Sequence, residues 1–354
     1  MLSLALGACT GGASDQNSDT SVVDAAQQHI LFVGNSFTHG RYAPVRQYNS
    51  GGSAAPVGGS TLVVDENEAA RGARAEDNEV GPYGGIPGLF AEFAAEAGLD
   101  YDVHIETISS ATLQTHINAA LDVIADPKWD SVVLQEQSTK PLPAGLADGG
   151  NSNPAGFCNS VQTLERDVHA VAPTAAIYLY ETWPRADAAR SLAGDPSQAG
   201  FDTDYAAALE RLDNAYHDAY YRAAALAGGI RAVAPVGEAW QRAWTQGVAE
   251  ANPYTGSSGL PSLWYGIKSV NDPAISSPDR YHPSVEGAYL AALVLFQQIT
   301  AVDVRTLGGG EQAATSLGLA QNLAVQLQEI AWQSVTRENA ALVNADPDPC
   351  TAMP

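Results

Sequence analysis

The residues best suited to chemistry lie near opposite ends of the chain. Ser36 stands in HILFVGNSFTHG (29–40), directly after the apolar run 30–33 and the small, turn-prone pair Gly34-Asn35. Four consecutive strand formers describe a parallel strand buried on both faces. A sharp bend at its carboxyl end leaves the next side chain at the rim of the sheet, where open α/β folds place their ligands. A serine hydroxyl there acts as a nucleophile only if a base takes its proton and a third group orients the base. Asp279 and His282, in DRYHPS (279–284), supply both residue types. Their three-residue spacing suits a turn that folds the carboxylate onto the ring, with a helix entered at Pro283. In this reading Ser36 attacks an acyl carbonyl, His282 is the general base, and Asp279 holds the imidazole tautomer. Each half also has an ordinary reading, one as a strand-to-loop turn and the other as a helix entry. The order Ser, Asp, His along the chain favours chemistry. The other six of the 7 histidines show no H-x-H or H-E-x-x-H spacing, so neither a metal nor a cofactor is expected.

Those side chains need a frame. Periodicity predicts strands at 30–33, 103–108, 129–134, 175–180 and 230–236. It predicts helices at 86–98, 112–125, 156–171, 205–228, 238–246, 283–300 and 311–338. Strands alternating with helices predict an α/β fold: a five-stranded parallel sheet covered on both faces. Right-handed crossovers bring all carboxyl ends to one edge. Residues 41–85 are rich in Gly, Pro, Ser and acids, with one apolar patch at 61–64. They read as an insertion, with a hairpin or short helix of its own, that either walls the site or loops into solvent. Residues 29–340 show no internal repeat and no boundary, and are expected to form a single domain.

These segments resemble the SGNH (GDSL-type) hydrolases, over roughly residues 29 to 300. GNSFT stands where that family has its Gly-Asp-Ser block, and DRYHPS followed by Glu286-Gly287 resembles its final D-x-x-H block. The likeness is to a branch with GNSF and LQEQS-type blocks. It implies a three-layer α/β/α, flavodoxin-like arrangement and an acyl-enzyme on Ser36. It also implies an oxyanion hole built from the Ser36 backbone N–H, a backbone N–H after the second strand, and an amide side chain after the third. The second block is Ser109-Ser110-Ala111-Thr112, without the family's glycine, so the donor is Ser110 or Ala111. The third is VVLQEQS, whose register places Gln137 at the family's asparagine. Gln offers the same donors on one more methylene. Gln135, two residues earlier, would share its face of the strand. Either glutamine could instead be a polar strand end facing water. Asn35 and Trp183 are candidate substrate contacts. Trp183, after the fourth strand, would either stack on a sugar or acyl group or anchor a packed loop. Trp264 and Tyr265 invite the same pair of readings, and Arg280 and Tyr281 read as packing or rim residues.

Composition limits the partners. The 354 residues carry a formal charge of −23, which repels nucleic acid and anionic membrane surfaces, and 45% are hydrophobic, enough for a large core. That charge suits a secreted protein in a salty medium, where it is screened. No apolar run reaches the roughly 18 residues that span a bilayer. Leu6-Gly7-Ala8-Cys9 resembles a bacterial lipobox, although no Lys or Arg precedes it. Residues 1–9 are thus expected to be a lipoprotein-type signal remnant with lipid on Cys9, the only expected membrane attachment. Residues 10–28 are expected to be a flexible tether and 341–354 a tail. With Cys9 lipidated, Cys158 and Cys350 are expected to pair in an oxidising compartment. The expected protein is an envelope-anchored or secreted serine esterase acting on a small-molecule or polysaccharide ester. The alternatives are a silent glycan-binding lipoprotein and an acyltransferase using the same serine.

Overall fold

A computed structural model describes residues 26–51, 62–67, 81–147, 151–256, 258–266, 279–344 and 347–351. Cys9, the leader, nearly all of the tether, and 52–61 and 68–80 of the insertion lie outside the described residues. The described elements are β1 (Gln28–Gly34), α1 (Ser36–His39), β2 (Val64–Asp65), α2 (Gly85–Glu96), β3 (Tyr101–Thr107), α3 (Leu113–Ile124) and β4 (Ser131–Leu134). They continue with α4 (Pro154–Val171), β5 (Ala176–Tyr180), α5 (Ala186–Ala193), α6 (Phe201–Ala227), β6 (Ile230–Ala234) and α7 (Val236–Thr245). The last are α8 (Val285–Thr300), α9 (Gln312–Leu317) and α10 (Gln321–Thr336).

All strands are parallel, in the order β2-β3-β1-β4-β5-β6. Among the described residues the sheet therefore has six strands rather than five. The extra one is a two-residue edge strand contributed by the insertion, pairing Val64 with His104 and Asp65 with Ile105. Without it the order is that of the flavodoxin-like sheet, and the strand order reverses at β1, which lies between β3 and β4. The crevice of such a sheet opens at the carboxyl end of β1, where Ser36 begins α1.

Sequence chemistry explains the boundaries. Ile30, Leu31 and Phe32 have no exposed surface, as a strand covered on both faces requires. The Ser284 side chain accepts from the Gly287 N–H and caps α8, and Asn153 caps α4 ahead of Pro154. The helix predicted at 311–338 is broken by Gly318, which takes φ 75° and ends α9. Helix α8 is buried on all sides, packing against α2 and α10. Edge-to-face contacts of Phe90 and Phe93 with Phe296, and of Phe93 with Tyr289, fill that layer. On the other side α3, α4 and α6 pack in sequence, giving the three layers. The Cys158–Cys350 disulfide joins the carboxyl-terminal segment to α4, across a sequence separation of 192. The segment expected to be a loose tail is docked: Asp218 accepts from the backbone N–H groups of Val343 and Asn344, and Arg222 pairs with Asp348 at 2.6 Å.

Candidate active site

The bend after β1 depends on Gly34. A Cβ at that position would overlap the Thr38 hydroxyl and the Gln135 amide oxygen. Asn35 caps α1: its Oδ1 accepts from the Phe37 N–H, while its Nδ2 donates to the Ala111 carbonyl at 2.9 Å. The cap ties the serine turn to the segment after β3 and leaves Ser36 as the first helical residue. The Ser36 backbone N–H, at the positive end of that turn, has no partner among the described residues.

Across the crevice, residues 279–282 form a tight turn against this serine. Ser36 Oγ lies 2.7 Å from His282 Nε2, and His282 Nδ1 lies 2.6 Å from Asp279 Oδ2. Asp279 accepts only, so Nδ1 carries the proton and Nε2 presents its lone pair to the serine hydroxyl. The other Asp279 oxygen accepts from the backbone N–H groups of Tyr281 and His282, each at 3.0 Å. Burial alone would raise the Asp279 pKa, but the hydrogen bonds and charge of His282 and the two backbone donors hold it below the ordinary carboxylate value. Burial lowers the His282 pKa, Asp279 pulls it back, and the charges of Arg41 and Arg185 push it down again. The net direction is downward, so the ring is the free base at neutral pH. The arrangement can move a proton from the serine to the ring while a carboxylate balances the charge that appears there.

Sequence reasoning missed Tyr42. Its hydroxyl donates to Asp279 Oδ2 at 2.8 Å, its ring stacks on Tyr265 at 3.8 Å, and its edge faces His282. It belongs to the first residues of the insertion, which therefore lie against the site, with Arg41 on the cavity wall. No local pattern announces a contact spanning 237 positions.

The cavity above Ser36 has a volume of about 320 Å³ and is lined by Asn35, Phe37, Arg41, Ser109, Ser110, Gln137, Ser138, Arg185, Tyr281 and His282. The expected oxyanion donors separate within it. The Ala111 N–H is spent on the Ile108 carbonyl at 3.0 Å, whereas Ser110, at φ 63°, lines the cavity. Gln137 also lines it. Its amide oxygen accepts from the Thr139 N–H and hydroxyl, and its amide nitrogen has no partner among the described residues. Gln135 does not face the cavity: it is fully buried, its oxygen accepts from the Asn35 N–H and the Thr38 hydroxyl, and its nitrogen donates to the Glu136 carbonyl. It braces the serine turn from behind. Between the two glutamines, Glu136 accepts from the N–H groups of Gln137 and Leu113, and burial lifts its carboxyl pKa to about 8 against those bonds.

Trp183 is corrected to a loop anchor. It is fully buried, stacks on Trp240 at 4.2 Å and donates to the Tyr281 carbonyl at 2.9 Å, so no substrate reaches its face. Trp264 is likewise buried and bonded to the Pro184 carbonyl. Arg280 lies over the Tyr254 ring, and Tyr281 receives Arg185 on its face at the cavity wall. A larger cavity of about 450 Å³, near Tyr205 and Trp244, is lined by no serine, cysteine or histidine.

No family model and no curated protein sequence matches the chain. Among solved structures it is similar to phospholipase A1 from Streptomyces albidoflavus, at 15% identity over 77% of this chain and 98% of that one, with a TM-score of 0.43. It is similar to an acetylxylan esterase from Geobacillus stearothermophilus, at 14% identity over 76% and 93% of the two chains, with a TM-score of 0.42. No functional assignment follows from likenesses this distant.

Proposed function

We propose that the chain is a serine ester hydrolase that forms an acyl-enzyme on Ser36. The observation that carries this is the continuous relay from Asp279 through His282 to Ser36, with both hydrogen bonds at 2.7 Å or less. Ser36 Oγ attacks the ester carbonyl as its proton passes to His282 Nε2. The oxyanion forms against the backbone N–H groups of Ser36 and Ser110 and the Gln137 amide. Collapse breaks the carbon–oxygen bond to the alcohol, which leaves with the proton from His282. Water then attacks the acyl carbonyl, gives its proton to the same nitrogen, and releases the acid and the free serine.

The cavity wall is rich in Ser, Asn, Gln and Arg, which favours short acyl groups on polar alcohols such as carbohydrates. A long alkyl chain would need an apolar channel to repay its desolvation. Export through a lipid anchor on Cys9 belongs to the same proposal. It is supported by the Leu6-Gly7-Ala8-Cys9 motif and by a disulfide, which persists in oxidising compartments.

Ser36→Ala is expected to lower kcat on a chromogenic acetate ester by at least about 10³–10⁴-fold with an unchanged circular dichroism spectrum. Wild type is expected to take a single phosphonate label at Ser36 and to favour acetate over octanoate esters. Retained turnover in the variant would overturn the hydrolase reading, and a preference for octanoate would overturn the substrate class.

A further inference from the structure

We propose that His29, Asp102 and His104 form a binding site for a divalent transition-metal ion of the Zn²⁺ class, at the amino-terminal edge of the sheet. Spacing along the chain hides this group, because its members come from two strands. In the β1–β3 register His29 faces Asp102, and His104 lies two residues farther along β3 on the same face. Asp102 Oδ2 is 2.9 Å from His29 Nδ1 and 3.0 Å from His104 Nε2, and one ligand atom from each residue lies within 4.8 Å of the others. Around a tetrahedral ion with bonds of about 2.0–2.1 Å, neighbouring ligand atoms sit about 3.3 Å apart. Both contacts with Asp102 are within a few tenths of an ångström of that figure.

The orientation of His104 is the second, independent observation. Its Nδ1 bonds Glu66 Oε1 at 2.6 Å. Its Nε2 is buried and faces only Asp102 Oδ2, at 3.0 Å, without meeting hydrogen-bond geometry. The residue is only 6% exposed. A metal-binding histidine has this form: the outer nitrogen donates to a carboxylate, and the inner lone pair is aimed at the ion. The ring is held in place, with Trp129 set edge-on at 4.9 Å and Glu66 pinned by Lys128 at 3.0 Å. Two imidazoles and one carboxylate suit Zn²⁺ and its neighbours, whereas Ca²⁺ and Mg²⁺ seek all-oxygen sets. The side chains of His29 and Asp102 are 35% and 34% exposed, leaving an entry path and a position for water as the fourth ligand. Gly34 lies five residue steps along the strand from His29, about 17 Å, so the ion sits away from Ser36 and links β1 to β3.

The test uses the full chain, stripped with EDTA and dialysed, titrated with Zn²⁺ by calorimetry and with Co²⁺ by visible absorption. The expected result is one ion per chain, tetrahedral-type Co²⁺ bands, and a rise in the unfolding temperature with Zn²⁺. His29→Gln and Asp102→Asn alter only partly buried side chains, so the result does not depend on a buried His104 variant folding. Each is expected to weaken binding at least tenfold, and Glu66→Gln about 10–100-fold through the outer nitrogen. An absence of binding, or equal affinity in wild type and His29→Gln, would overturn the proposal and leave the trio an ion-pair cluster.

Discussion

Asp279 spends both oxygens on holding one ring in place, and that explains why Tyr42 matters. The tyrosine hydroxyl shares Oδ2 with His282 Nδ1, and its stacking on Tyr265 fixes the angle of that bond. A hydrogen bond to a charged group contributes about 1.5–3 kcal/mol, so Tyr42→Phe is expected to reduce kcat about tenfold or more. It touches no substrate in the proposed mechanism, so KM is expected to move little; a loss confined to the unfolding temperature would reduce Tyr42 to a packing role. The depressed pKa of His282 gives a second expectation. In the proposed mechanism the base works neutral, so activity is expected to be lost as pH falls through its folded value, which lies below the ordinary 6.5. The acid limb of kcat/KM should therefore fall below that of an unperturbed histidine, and a limb above it would contradict the burial that sets the shift.

Elements were legible in the sequence wherever a strand is buried on both faces, because β1, β4 and β5 each read as an apolar run, while β3 alternates apolar with polar residues. The contact of Ser36 with His282 and Asp279 was legible for the same reason: the proposed nucleophile follows such a run, and its two partners share one turn. The orientation of the glutamines was not. Alternation of faces holds only within a pleated strand, and β4 ends at Leu134, so Gln135 and Gln137 turn to opposite sides of the loop. Strand β2 has two residues and gains its identity only by pairing with β3. Helix α5, ADAARSLA, is too short and polar for its period to stand out. Glu136 connects these elements, since its carboxyl joins the end of β4 to the first turn of α3. The folded chain keeps its proton up to about pH 8, while an unfolded glutamate releases it near 4.5. The contribution is therefore fully present below pH 4.5 and is lost as pH rises toward 8. Glu136→Gln removes the titration. Its urea midpoint relative to wild type should improve between pH 5 and pH 8, and an identical difference at both pH values would show that burial does not raise this carboxyl.

For the whole molecule, the chain carries 40 acidic against 17 basic residues, so its ends gain little from general electrostatic attraction and need specific ties. The carboxyl-terminal segment has three: the Asp218 carboxylate under Val343 and Asn344, the Arg222–Asp348 pair, and the Cys158–Cys350 bond. The first two are non-covalent: the Asp218 carboxylate is buried beneath two backbone N–H donors, and the Arg222–Asp348 pair is partly open to solvent, where an ion pair contributes about 0–1 kcal/mol. The covalent tie acts on the unfolded chain, closing a loop of some 192 residues, which chain entropy values at about 5 kcal/mol. Replacing Cys158 and Cys350 together by Ser should therefore lower the unfolding temperature by about 3–7 °C, given the unfolding entropy of a chain this long. The bond lies on α4 and neither cysteine lines the Ser36 cavity, so kcat at room temperature should be unchanged. A double variant with wild-type stability would mean that the hydrogen bonds of Asp218 already hold the end as firmly as the bond does. A variant with wild-type stability but impaired turnover would instead couple the carboxyl-terminal segment to the site, against the separation that the fold describes.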